Sequence, residues 1–316
     1  MFANAIDMIS KFTRPVKFIM RNYGSDDIIP GTATLFFVNE NGVAITCKHV
    51  TNELLKCSPI NMRYAQYKSE IAMSSPDEPS IIASLEKKYG YTDGVTVQSR
   101  SMFFDCVDTG SDSISFNVIA HPKYDLAIIQ MNNSKYNRYS EYAVFAKDSS
   151  ILRRGDYLCR YGYPFSEFSD YEYDKENDDI RWINTGKVGT PAFPIEGMYT
   201  RSVVDADNNV FEYELSTPGL RGQSGGPLFD SNGIVFGMQT ETYFLHLGFD
   251  QENARVRING RVREVENHPF LHVGRCITVD VIKQFLDSNK IKYYVGDSTG
   301  HIETINGDID ERLERI

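Results

Sequence analysis

Little in this sequence suits a membrane or a nucleic acid. No stretch approaches the roughly 18 to 20 uninterrupted apolar residues that span a bilayer, so no membrane association is expected. The opening residues, MFANAIDMISKFTRPVKF, lack the basic start, apolar run and small-residue cleavage site of a secretory signal. Basic charge is short as well: 33 Lys and Arg against 43 Asp and Glu leave a formal net charge of −10. A nucleic-acid partner is thereby disfavoured, because such proteins displace counterions from phosphates with excess cations. Cysteine is sparse and odd in number, the five being Cys47, Cys57, Cys106, Cys159 and Cys276. They form none of the CxxC pairs that metal or redox chemistry favours, and they read as mostly buried thiols in a reducing, cytoplasmic compartment, with a mature extracellular form trimmed of its signal as the alternative. No internal repeat or low-complexity tract is visible, and the single tryptophan, Trp182, reads as packing.

What is present is β-rich text cut by Gly, Asn, Asp and Pro. The runs VKFIM, TATLFFV, VAITC, FNVIA, LAIIQM, YLCRYGY, VFEYEL, GPLF, IVFGMQT and CITV have the rhythm of an antiparallel barrel or sandwich. NENG at 39–42 reads as a hairpin through its Asn41-Gly42 pair, and DSNG before IVFG repeats the device. Helix is expected in four places: residues 2–12, TNELLK after His49, IIASLEKKYG, and DVIKQFLDSN with Asp280 as its N-cap. The first reads as a terminal helix packed on the body, with a docking or oligomerisation element as the alternative.

A serine hydroxyl is a weak nucleophile that needs a base and an anion-stabilising pocket. Gly222-Gln223-Ser224-Gly225-Gly226-Pro227 offers both ingredients of the pocket. A glycine two residues before the serine takes a backbone conformation that aims its N–H and that of Ser224 at one point. The alternatives are a Gly-rich turn with an incidental serine, or the GxSxG of an α/β-hydrolase, where a helix follows the serine; here β-rich text follows. Upstream, His49 comes directly after a strand and before a short helix, and Asp125 stands at the mouth of the apolar run LAIIQM.

Together these segments resemble the trypsin-like peptidases, specifically the HtrA/Deg-type branch. Thr46-Cys47-Lys48-His49-Val50 resembles that family's T-x-x-H-V element, Asp125-Leu126-Ala127-Ile128 its D-L-A element, and Gly222 to Leu228 its G-[NQ]-S-G-G-P-L element. LRRGDYLCRYGYPF, INTGKVGTP and GRCITVDVIKQFL are similar to intervening strands and the closing helix, so the resemblance runs from about Gly31 to Leu286. It implies an all-β fold of two six-stranded antiparallel β-barrels with a few short helices, and a serine endopeptidase working without cofactor or metal on a protein or peptide substrate. In it Ser224 is the nucleophile, His49 the general base, Asp125 the orienting carboxylate, and the N–H groups of Gly222 and Ser224 the oxyanion hole.

Departures from the family are as informative. No Arg-Ile-Val-Gly-Gly activation site or recognisable disulfide is seen, and no PDZ-like region is expected after Leu286. The peptidase domain is assigned to residues 1–296, with insertions near 58–100, 165–182 and 248–273, and 297–316 reads as a polar, frayed tail. The acid-rich 165–182 stretch reads as a solvated loop. By the family pattern the primary specificity pocket has its floor near Pro218 and its walls at Gln239, Thr240, Glu241 and Gly274. No aspartate stands at that floor, so cleavage is expected after an uncharged, small or medium apolar residue, with Glu241 keeping a basic residue open. His268 and His272 are separated by Pro269 and make a poor zinc pair, while His121, His246 and His301 have no ligand-like company. Cys47 reads as a buried strand residue, or alternatively as a redox-sensitive thiol. A catalytically silent binding module or chaperone is the competing reading, and an esterase a weaker one; a regulatory partner or homo-oligomer is left open.

Overall fold

The computed structural model describes residues 2–74, 79–103, 115–131, 139–258 and 260–307. A short helix, α1 (Ala3–Ser10), leads into β1 (Thr13–Asn22), β2 (Ile28–Phe37) and β3 (Val43–Thr46). The turn from β2 to β3 is the expected hairpin, but only Gly42 takes a positive φ, +74°. Asn39 does the rest, its side-chain oxygen accepting the Asn41 N–H at 2.9 Å. Then come α2 (Lys48–Met73), α3 (Pro79–Tyr89), β4 (Thr96–Phe103), β5 (Phe116–Ala120) and β6 (Ala127–Met131). The six strands form one curled sheet in the order β4-β1-β2-β3-β6-β5.

The second half contains β7 (Val144–Ala146), β8 (Tyr157–Gly162), the hairpin β9 (Tyr171–Asp174) and β10 (Asp179–Trp182), β11 (Phe193–Val204), β12 (Val210–Leu215) and β13 (Pro227–Phe229). It continues with β14 (Val235–His246), β15 (Gln251–Ile258), β16 (Arg261–Asn267), β17 (Phe270–Thr278), α4 (Val279–Ser288), β18 (Tyr293–Gly296) and β19 (Ile302–Ile305). Strands β13-β8-β11-β12-β17-β14 pair in sequence, and β14 pairs back to β13, which closes a six-stranded antiparallel barrel. Closure removes the free edges that would otherwise recruit another chain. The all-β fold of two six-stranded halves is therefore as expected, with one addition. Strands β7, β18 and β19 extend the second sheet beyond the barrel through parallel pairing of β7 with β14. Part of the segment read as a frayed tail thus supplies β19, while residues 308–316 lie outside the described residues.

One apolar core runs through both halves, including Leu35, Phe36, Ile45 and Ile128 of the first and Leu228, Phe229, Met238 and Ile277 of the second. Helix α1 packs on it through Ala5 and Ile9, and the Phe2 ring meets Phe229 edge-on at 6.1 Å. Helix α4 begins two residues earlier than Asp280 as N-cap would place it. Its N-cap is Thr278, the last extended residue of β17, whose hydroxyl accepts the Val281 N–H; Asp280 sits in the first turn.

The insertions depart further from the sequence reading. The helix after His49 is not short: it runs 26 residues, straight through Pro59. Tertiary contacts outweigh the proline, because Asn61 clamps the outer strand β4 by accepting the Ser99 N–H at 2.9 Å and donating to the Ser99 carbonyl at 2.7 Å. A cluster of Tyr23, Tyr64, Tyr67, Tyr89 and Tyr91 seals α2 and α3 onto the sheet. The 165–182 stretch is a packed hairpin rather than a solvated loop. Phe168 and Ile180 are buried beside Ile19, Trp182 packs on Phe168, and Asp170 forms an ion pair with Lys17 at 3.4 Å, both side chains fully buried. Asp178 collects Arg21 at 2.5 Å and the hydroxyls of Tyr64 and Tyr173 at 2.7 Å. The 248–273 stretch forms the hairpin β15–β16 at the end of a long β14–β17 ribbon.

Candidate active site

Strands β3 and β6 are neighbours, with Thr46 opposite Ala127, so the residues just past one strand and just before the other meet. Those residues are His49, in the first turn of α2, and Asp125. Both carboxylate oxygens of Asp125 are used by this one partner: Oδ1 accepts the His49 backbone N–H at 2.9 Å, and Oδ2 lies 2.7 Å from Nδ1. The helix start supplies the backbone donor, which has no partner within its own helix. Burial pushes the Asp125 carboxyl up, but the hydrogen bonds and charge of His49 outweigh it and hold the group below its ordinary range. With Nδ1 bonded to a carboxylate, the neutral ring carries its proton there and leaves Nε2 as the acceptor.

Ser224 lies on the loop between β12 and β13, which is hung between the two halves. Its carbonyl accepts the Thr34 N–H at 3.0 Å, Gly222 accepts the Thr34 hydroxyl at 2.8 Å, and the Gly225 N–H donates to Gln239 at 2.9 Å. Gln223 is fully buried and braces the loop from within, accepting from Leu220 N–H and donating to the Phe193 carbonyl. Gly222 has φ +96° and Gly225 φ +87°; a Cβ on Gly225 would stand 2.0 Å from the Thr34 carbonyl, so no other residue fits. Among the described residues the N–H groups of Gly222 and Ser224 have no acceptor. His49, Gly222 and Ser224 line one cleft of about 370 Å³ together with Phe18, Met20 and Ile29. Within it the Ser224 hydroxyl donates to the Thr240 carbonyl at 3.2 Å rather than to His49.

Thr240 can offer that carbonyl because β14 bulges there. Gln239 pairs with Cys276 and Glu241 with Arg275, leaving Thr240 as the extra residue. Its hydroxyl contacts Glu212 Oε1 at 3.2 Å and the Arg275 carbonyl at 3.0 Å. Glu212, which sequence reasoning passed over, is buried, and burial together with the nearby Glu241 pushes its carboxyl up to about 7 despite Arg275.

The pocket residues are distributed unevenly. Pro218 is half-buried, and its neighbour Thr217 meets the polar groups beneath. Glu241 points outward, its side chain 55% exposed and 3.9 Å from Arg275. Gln239 is buried, and its amide lies against Gly219, where a Cβ would approach Nε2 to 2.5 Å. Beneath it is Arg160 of β8, fully buried, bonding Gln239 Oε1 at 2.8 Å and both the carbonyl and hydroxyl of Thr217. Gly274 leaves room for that guanidinium, since a Cβ there would stand 2.0 Å from Nη1. Arg160 was not singled out from the sequence; a charged residue inside the apolar run YLCRYGY was the available signal.

Cys47, His49 and Asp125 are the one described cluster of metal-ligating groups. Their geometry is better accounted for by hydrogen bonding, since the Cys47 thiol donates to the Gln239 carbonyl at 3.3 Å, and burial, with Asp125 close by, pushes its pKa well up. A thiol so held is a poor nucleophile, which disfavours the redox reading. Cys47, Cys57, Cys159 and Cys276 are all free. His268 is partnered with His246 rather than His272, the two rings sharing Asp250 Oδ1 at 2.8 and 2.7 Å.

Residues 31–238 match the family described as trypsin-like peptidase domain. The chain belongs to that family. A solved structure described as an HtrA-type protease AlgW with decapeptide is similar to this trypsin-like peptidase domain at 14% identity and a TM-score of 0.46, covering 91% of this chain and 67% of that one. At that level the likeness says nothing about substrate or mechanism. A comparison with curated proteins finds no match. No described helix of this peptidase domain is long and apolar enough to cross a membrane.

Proposed function

We propose that the protein is a serine endopeptidase in which Ser224, His49 and Asp125 act as a catalytic triad. The Ser224 hydroxyl rotates from Thr240 toward His49 and attacks the scissile carbonyl while Nε2 takes its proton. The C–N bond then breaks as the imidazolium returns that proton to the leaving amine, and water hydrolyses the acyl-enzyme by the same route in reverse. Asp125 keeps the proton on Nδ1 and stabilises the imidazolium. The unoccupied N–H groups of Gly222 and Ser224 receive the oxyanion, each such donor being worth about 3 to 4 kcal/mol. Every step uses groups of this chain, without cofactor or metal, on a protein or peptide substrate, and the free thiols support a cytoplasmic setting.

The observation that carries this reading is the double hold of Asp125 on His49 beside a serine loop whose N–H donors are vacant, in a member of a peptidase family. The orientation of the Ser224 hydroxyl toward Thr240 favours a second reading, a catalytically silent binding module or chaperone. A fluorophosphonate probe separates the two. Wild-type protein is expected to be labelled and to hydrolyse peptides, with Ser224→Ala unlabelled and His49→Ala labelled far more slowly. Absence of labelling and of peptide hydrolysis in folded wild-type protein would overturn the peptidase reading in favour of the silent module.

A further inference from the structure

Around Gln239 the structure is closed. Gln239 is 2% exposed, a Cβ on Gly219 would approach its Nε2 to 2.5 Å, and the Thr242 hydroxyl bridges to the Gly219 carbonyl at 2.8 Å. Open space beside Ser224 lies elsewhere, in the cleft of about 370 Å³ that His49 and Gly222 also line. Ligand pockets measure about 300 to 1,000 Å³ and are mostly apolar with a few polar groups, a description this cleft meets.

The β1–β2 ladder supplies much of its surface. Phe18 stands opposite Gly31 and Met20 opposite Ile29, and Ala33 follows two residues after Gly31, so the five share one face of the sheet, and all five line the cleft. Gly31 is the gap in that face. Its φ is not positive, so the backbone does not require glycine there, and a Cβ would meet nothing closer than the Phe18 Cβ at 3.9 Å. Val50 of α2 and Pro164 add further apolar surface. The charged lining residues besides His49 are Glu53 and Arg221; both are exposed, and Glu53 is paired with Lys56 at 2.7 Å. Ile29, by contrast, is an apolar side chain left 45% exposed, surface that a bound apolar group would remove from water.

The chemistry of the site says which half of a substrate reaches this cleft. His49 Nε2 has to hand its proton to the departing nitrogen, and the Gly222 and Ser224 N–H groups have to face the carbonyl oxygen, so the leaving half passes along His49 and Gly222. Both line the cleft, as do Val50 and Glu53 from the helix that carries His49, whereas no residue of β14, whose Thr240 carbonyl meets the Ser224 hydroxyl, does so. Resting on the peptidase reading above, we infer that the cleft receives the residue on the carboxyl side of the scissile bond and selects a large apolar one, leucine, methionine or phenylalanine, with Gly31 providing the room and Ile29, Met20 and Phe18 the contact.

The test starts from a peptide that the wild type cuts in a mixed library, remade as an internally quenched series that differs only in the residue after the cut: Leu, Phe, Ala, Ser, Lys or Glu. Fluorophosphonate labelling of Ser224 runs in parallel. For the wild type, kcat/KM for Leu should exceed that for Ala by about 10- to 100-fold. By microscopic reversibility, leucine amide should also intercept the acyl-enzyme better than alanine amide, a readout that only the leaving side can move. Gly31→Val fills the gap and should bring the Leu-to-Ala ratio to near one. Because a filled strand face can disturb folding, Ile29→Glu is the second variant: its side chain is exposed, and it should raise the Lys-to-Leu ratio by about tenfold or more. Labelled wild-type protein that cuts the Leu and Ala peptides equally, or whose apolar preference lies only before the bond, would overturn this inference and leave the peptidase reading standing. So would an Ile29→Glu variant with an unchanged Lys-to-Leu ratio. Wild-type protein neither labelled nor active on any peptide would overturn both.

Discussion

Replacing Glu212 by glutamine should stabilise the protein in alkaline but not in acidic solution. In the folded chain its carboxyl ionises near pH 7, raised from an ordinary 4.5 chiefly by burial and then by Glu241. The unfolded chain releases that proton near the ordinary value. Below it the group is protonated in both states and costs nothing; as pH rises through the window between 4.5 and 7, the unfolded chain increasingly gives up a proton that the folded chain retains. Stability is therefore present at the acid end and is lost as pH rises toward the folded value. Each tenfold change in proton affinity is about 1.4 kcal/mol, so the full span amounts to about 3 kcal/mol, an upper bound because structural relaxation reduces it. Glutamine keeps a hydrogen-bonding oxygen for Thr240 and carries no charge. Urea unfolding of wild type and Glu212→Gln at about pH 4.5, 6 and 8 should give matching stabilities at the first pH and a gap of up to about 3 kcal/mol in favour of the variant at the last. Parallel curves for the two proteins across the window would refute the reasoning.

Asp125→Asn should leave the fold intact and lower kcat/KM by about four orders of magnitude, since an amide leaves the His49 proton on the wrong nitrogen; active-site titration with peptide kinetics checks it. Lys17→Met should cost about 3 to 5 kcal/mol by stranding the buried Asp170, and adding Asp170→Leu should recover much of the loss, both read by urea unfolding. Asn61→Ala exposes the Ser99 N–H and carbonyl on the outer strand, and should cost about 1 to 3 kcal/mol while accelerating amide exchange along β4.

The strands were readable because alternating apolar text and turn residues act locally; the runs around Phe36, Ile128 and Phe229 all lie in the core. The juxtaposition of His49 and Asp125 was legible for a related reason, since each stands at the end of an apolar run and the two runs pair. What stayed hidden depended on distant partners. Pro59 breaks an isolated helix, yet Asn61 and the tyrosine cluster hold α2 together across it. The acid-rich 165–182 stretch looks solvated until Lys17, more than a hundred residues earlier, is placed against Asp170. Thr278 displaces Asp280 as a cap because β17 feeds directly into α4, so the last strand residue is also the first helix boundary. Arg160 and Glu212 are buried charges whose meaning lies wholly in what surrounds them.

The bulge in β14 has a consequence for counting. Beyond it, the ladder with β17 resumes at Glu241 opposite Arg275 and continues outward to His246 opposite Phe270. Thr240 is thus a remainder: a residue that the pairing arithmetic does not need. Deleting it would leave every partner on either side matched, and the barrel could close as before. Lost would be the single carbonyl that parks the Ser224 hydroxyl and the single hydroxyl that meets Glu212. In this strand the architecture and the chemistry are written in different residues, and the chemistry occupies the surplus one.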